Sequence, residues 1–124
     1  MPRLLDLADD FLVIGDIIRL PDNYDLGPGS GPVDLLIFDP CEDEAGLGLM
    51  VTSGYKAGLI LAILPEESRF EKKLGLSIRW LIENWDKWFV FTYQGGPVPI
   101  EETIILPWIG RMTVETCHAN RRPA

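Results

Sequence analysis

The sequence predicts a mainly β, α+β domain, and three observations carry that expectation. Two short apolar runs, Gly48 to Thr52 and Leu59 to Leu64, are punctuated by glycine and stopped by Pro65. Runs of that length favour strands over helices. Leu74, Leu76, Ile78 and Trp80 alternate with Gly75, Ser77 and Arg79, the period of a half-buried strand. Helical spacing is confined to residues 3–12 and 81–89. The expected architecture is a single domain over residues 1–124, built as a strongly bent antiparallel sheet or small barrel with one or two short helices.

Each element follows from its residues. Leu4, Leu5, Ala8, Phe11 and Leu12 fall near i, i+3, i+4, i+7 spacing, which suits a short amphipathic helix or helical turn. Gly15 interrupts it, and Asp16 to Leu20 alternates as a strand that Pro21 ends. Residues 23–32, rich in glycine and proline, form a loop. Val33 to Phe38 is the next strand, with Asp34 facing away from Val33 and Leu35. Residues 39–46 make an acidic turn. Leu59 to Leu64 is apolar at every position, as expected for a strand covered on both faces or closed into a barrel; a buried helix is the competing reading. Pro65 to Lys73 is a charged, exposed connection. Leu81, Trp85, Trp88 and Phe89 share i, i+4, i+7, i+8 spacing and suggest a helical turn. Val90 to Tyr93, a run within Ile100 to Trp108, and Arg111 to Cys117 complete the expected strands, and the tail from His118 is frayed.

Composition restricts function. Nineteen acidic against eleven basic residues leave a net charge of −8. The imbalance is local: no Lys or Arg lies between Arg19 and Lys56, where Asp22, Asp25, Asp34, Asp39, Glu42, Asp43 and Glu44 supply carboxylates. Phosphate binding needs clustered Lys or Arg, so direct contact with nucleic acid is not expected. A basic protein is the natural complement, and a merely solvated acidic surface is the plain alternative. No stretch approaches the roughly 18 apolar residues of a spanning helix, and no basic start precedes an apolar run at the N-terminus. A soluble, cytoplasmic protein is expected, with no membrane partner. Cys41 and Cys117 form no CxxC pair and are expected to be unlinked thiols.

Catalytic patterns are missing. The single histidine, His118, lies in a polar stretch near the end of the chain, which argues against Ser-His or Cys-His chemistry. Gly-x-Ser-x-Gly and Gly-x4-Gly-Lys-Ser/Thr do not occur, and the Gly-x-Gly pairs at 27–31 and 46–48 lack a following helix pattern. The carboxylates of residues 39–44 lack the Asp-x-Asp-x-Asp-Gly spacing of a calcium loop. Glu66 and Glu67 are adjacent and would point apart on a strand, as surface charges. No catalytic residue, metal ligand or cofactor is expected. Trp80 reads as core, whereas Trp85 and Trp88, interleaved with Asp86, are either core or interface anchors.

Three segments carry a family likeness: Gly15-Asp16-Ile17-Ile18-Arg19; Gly54-Tyr55-Lys56-Ala57-Gly58 with Leu64-Pro65-Glu66-Glu67-Ser68; and Trp80-Leu81-Ile82-Glu83-Asn84-Trp85-Asp86-Lys87-Trp88. Together they resemble a family of bacterial immunity proteins that accompany polymorphic toxins, contact-dependent growth inhibition systems among them. The resemblance covers most of the chain, and its tryptophan block is the most specific part. It implies a non-enzymatic cytosolic inhibitor that binds and neutralises the toxin domain of a sister cell. An acidic domain would suit the basic active-site cleft of a nuclease. The residues expected to meet the toxin are Asp39, Glu42, Asp43, Glu44, Glu66, Glu67, Trp85, Asp86 and Trp88, on a monomer or weak dimer. Two other classes remain: a small hydrolase using Asp or Glu, which a carboxylate-lined pocket would favour, and a structural or adaptor subunit of a secretion system, which a large apolar interface would favour.

Overall fold

The computed structural model describes residues 2–22, 24, 31–53, 56–71, 75–91 and 96–108. Among them ten strands run in chain order: β1 (Phe11–Leu12), β2 (Ile17–Leu20), β3 (Val33–Phe38), β4 (Ala45–Val51), β5 (Ile60–Pro65), β6 (Arg69–Phe70), β7 (Gly75–Ser77), β8 (Val90–Phe91), β9 (Gly96–Pro97) and β10 (Ile104–Leu106). Two short helices, α1 (Ile78–Glu83) and α2 (Trp85–Trp88), separate β7 from β8. The fold is mainly β, as the sequence predicts. Its sheets are antiparallel and open, with orders β10-β2-β3-β4-β5 and β1-β7-β6, plus the pair β8-β9.

The larger sheet follows from its alternation. In β2 and β3 every second residue is buried. Ile18, Leu20, Val33, Leu35 and Ile37 face the core with Leu47, Leu49 and Val51 of β4. Asp34 points the other way, as expected, and pairs with its cross-strand neighbour Arg19. The Arg19 Nε donates to Asp34 Oδ1 at 2.7 Å and an Nη to Oδ2 at 3.0 Å. This is a two-pronged bond that fixes both planes, and it raises the Arg19 pKa above its ordinary value.

β5 departs from expectation. It is not covered on both faces: it is the last strand of its sheet, and Ile60 and Ile63 are 51% and 38% exposed. Leu64 is its one fully buried residue. The register against β4 slips twice, between Ala45 and Gly48 and between Leu49 and Met50. An edge strand with bulges cannot present the regular two-sided burial of a central one.

Of the expected amphipathic helix or helical turn over residues 3–12, only the turn forms, and only at Leu4–Asp6. A 3-10 turn at Leu4–Asp6 lacks a side-chain cap, and such a short turn does not propagate in isolation. Phe11 and Leu12 instead pair with Ser77 and Leu76, and Phe11 stacks on Phe70 at 4.9 Å. Glycine is required at position 75, where a Cβ would fall 2.2 Å from the Leu12 carbonyl oxygen.

The strand expected over Leu74 to Trp80 is shorter, with Leu74 itself outside the described residues. It stops at Ser77, whose Oγ accepts from the Trp80 N–H at 3.1 Å and caps α1. Ile78 and Leu81 then turn inward at helical spacing. Pro65 to Lys73 is not a simple exposed connection, because Glu66–Ser68 forms a 3-10 turn that buries Ser68, and β6 follows. In the last third, Ile100–Glu102 is another 3-10 turn before the short β10. The expected strand at Arg111 to Cys117, the tail, and most of the loop at 23–32 lie outside the described residues.

No described helix is long and apolar enough to cross a membrane. Cys41 is an exposed, free thiol; Cys117 is outside the described residues. Cys41→Ser is expected to change the unfolding free energy, read from urea titration, by no more than the roughly 0.5 kcal/mol typical of surface substitutions. A larger loss would assign that thiol a structural role.

Candidate partner-binding surface

The acidic turn joins β3 to β4 and is held from beneath. Asp39 Oδ1 accepts from the Cys41 N–H at 2.8 Å, while Cys41 takes a left-handed φ of 60°. Arg69 reaches across from β6: its Nε donates to the Ala45 carbonyl at 2.9 Å, and one Nη lies 3.4 Å from both the Gly46 carbonyl and Asp39 Oδ1. The Arg69 side chain is only 10% exposed. Asp39 is itself exposed, and its Oδ1 serves the turn through the Cys41 N–H and, at longer range, Arg69. Glu42, Asp43 and Glu44 remain exposed.

Glu66 and Glu67 join this group through the sheet. Ala45 pairs with Pro65, so the carboxylates just before Ala45 and just after Pro65 flank the same end of the β4–β5 ladder. Close packing of that end needs Gly46, where a Cβ would fall 2.3 Å from the Pro65 carbonyl oxygen. Both glutamates are exposed. Five of the nine expected partner residues thus share one acidic end, around a largely enclosed arginine that donates to the Ala45 and Gly46 carbonyls.

The tryptophans divide differently. Trp85 is 2% exposed, stacks on Phe89 with ring centroids 3.9 Å apart, and donates from Nε1 to the Val98 carbonyl at 2.8 Å. That environment belongs to the core, and its indole has no free surface for a partner. Trp88 is half-buried against the core and lies 6.1 Å from Trp80, the rings inclined at 51°. Asp86 is exposed on the same short helix. Trp80 is packed inside, as expected, and its Nε1 has no hydrogen-bond partner among the described residues.

An open cleft of about 360 Å³ is lined by Asp9, Asp10, Ile78, Arg79, Ile82 and Glu83. Its three carboxylates stand at the exposed surface, and Glu83 pairs with Arg79 at 3.5 Å along α1. No nucleophile with an adjacent base is placed there. Among the described residues no group of three or more His, Cys, Asp or Glu is arranged to hold a metal ion.

Sequence reasoning missed the outer face of the larger sheet. Ile17, Leu36, Met50 and Ile60 follow one another across four strands. In the next row Ile63 lies beside Gly48, and a Cβ on Gly48 would meet the Phe38 ring at 2.4 Å. The available signal was parity. Leu36 and Phe38 share the outward register of Asp34, so an apolar second face was readable in β3.

A family model described as Immunity protein 45 matches residues 4–98, from the first turn through β9. No curated protein and no solved structure matches the chain.

Proposed function

The chain belongs to the Immunity protein 45 family, and from that premise we propose that it binds a cognate toxin domain in the cytoplasm and neutralises it without catalysis. Membership of an immunity protein family points to toxin neutralisation. The proposed toxin is a basic nuclease delivered by a polymorphic toxin system of the contact-dependent growth inhibition kind. One observation supports the finer reading: Glu42, Asp43, Glu44, Glu66 and Glu67 converge on one end of the sheet, where the neighbouring cation, Arg69, is consumed internally. A field of one sign on an exposed edge accelerates encounter with an oppositely charged cleft. The protein acts as a monomer or weak dimer, without direct contact with nucleic acid or membrane. Asp86 and Trp88 form a second candidate contact.

Co-purification with the toxin domain encoded in the adjacent reading frame tests the pairing. Changing Glu42, Glu44, Glu66 and Glu67 to Gln and Asp43 to Asn is expected to slow association about tenfold or more at low salt and to flatten its salt dependence, with little change in stability. Asp39 is left intact because it holds Arg69. Equal association rates for the variant and the natural chain at low and moderate salt would overturn the acidic-patch reading.

A further inference from the structure

The two edges of the five-stranded sheet are treated differently. At the β10 edge the N-terminal segment closes the ladder: Arg3 bridges to Ile104, the Ile105 N–H donates to the Pro2 carbonyl at 2.9 Å, and the Leu4 N–H donates to the Thr103 carbonyl at 2.9 Å. At the β5 edge no described strand follows. The strand is six residues long, carries no charge from Ile60 to Pro65, and exposes Ile60 and Ile63 beside an exposed Leu59. Natural sheets blunt an edge with lysine, proline, bulges or short length, because unpaired N–H and C=O groups invite another strand. Among the described residues the blunting here consists of two register slips, one at Leu61 and one opposite Ile63 to Pro65, and a terminal proline. Ile60 also continues the apolar row formed by Leu36 and Met50 on the outer face.

We infer that β5 accepts an added strand from the toxin domain, an extended segment with apolar side chains for Ile60 and Ile63 and a Lys or Arg at the end that reaches the acidic group. Strand addition supplies affinity through main-chain bonds and specificity through alternate side chains. Charge selects the occupant. The Pro65 end of the strand is flanked by Glu66 and Glu67 and, across the ladder, by Glu42 to Glu44. Pairing β5 with a second copy would bring together two chains of net charge −8 each, which repel. The inference rests on the toxin-binding reading and adds its mode: the carboxylates steer the encounter, and the β5 edge, which no other described strand covers, holds the complex.

Residue-resolved amide exchange over 60–64, on the free protein and on its complex with the toxin domain from the adjacent reading frame, tests this. The β5 amides not bonded to β4 are expected to gain at least tenfold protection in the complex. Ile60→Lys with Ile63→Lys, at exposed positions, is expected to keep the melting temperature and to weaken binding at least tenfold through faster dissociation. Glu66→Gln with Glu67→Gln should slow association yet retain the β5 protection. A complex in which β5 exchanges as in the free protein overturns strand addition while leaving toxin binding intact. Absence of any complex with the natural chain overturns both. Concentration-dependent protection of β5 in the free protein would make a second copy the occupant and overturn the inference. The exchange measurement uses the natural chain, so it decides the matter even where the lysine variant misfolds.

Discussion

Trp85→Ala is expected to cost about 3–5 kcal/mol of folding stability, the range for removing a large aromatic side chain from a core. The indole is 2% exposed and stacked on Phe89, so its loss leaves a cavity under α2. It also removes the donor to the Val98 carbonyl, and an unsatisfied buried acceptor costs about 1–3 kcal/mol of that total. Against a typical stability of about 5–15 kcal/mol, the variant should lose much of its folded population at moderate urea. Trp85→Phe keeps a ring and lacks only the N–H and part of the volume, so a smaller loss is expected. Toxin affinity, measured on the fraction that stays folded, should be unaltered, because the indole is enclosed by its own chain. A Trp85→Ala protein of normal urea midpoint that fails to bind toxin would instead make Trp85 an anchor.

That residue also marks how far the sequence could be read. The i, i+4, i+8 series Leu81, Trp85, Phe89 identified a helical face, and all three side chains are buried. Periodicity could not say whether that face met its own core or a partner, since an interface core and a domain core have the same composition. β3 was legible because Asp34 broke an otherwise apolar run at the right parity. β5 was misread because an apolar run without alternation suits a covered central strand and a bare edge equally; only the topology distinguishes them. Ser77 was a readable helix start, but the alternation of Leu76, Ile78 and Trp80 concealed it. Composition made the acidic turn visible. Its union with Glu66 and Glu67 depends on the Ala45–Pro65 register, and Arg69 meets its carbonyl partner 24 positions earlier in the chain, a separation over which local pattern carries no signal.

Arg69→Met is expected to cost about 2–4 kcal/mol, from the loss of charge-assisted hydrogen bonds worth about 1.5–3 kcal/mol each, partly offset by the retained apolar stem. The guanidinium is nearly enclosed, and its Nε bond to the Ala45 carbonyl at 2.9 Å is the shortest of the three. The contacts at 3.4 Å to Gly46 and Asp39 are weaker. Ala45 and Gly46 sit where the β4–β5 register slips, and a bulge interrupts the regular ladder, so a side chain from the other sheet supplies donors there. Arg69→Lys should recover only part of the loss, because an ammonium cannot reproduce the planar fork. Asp39→Asn should cost less than Arg69→Met, as Asp39 is 40% exposed and its contact is long. The clamp makes a further, local demand: amide exchange through Cys41 to Gly46 should accelerate in Arg69→Met more than in a variant equally destabilised elsewhere, such as Trp85→Phe. With the turn released, the carboxylates of Glu42, Asp43 and Glu44 lose their fixed position beside Glu66 and Glu67, and toxin association should slow even where the protein remains folded. An unchanged urea midpoint in Arg69→Met, with unchanged exchange in the turn, would show that the acidic end is held by the ladder alone.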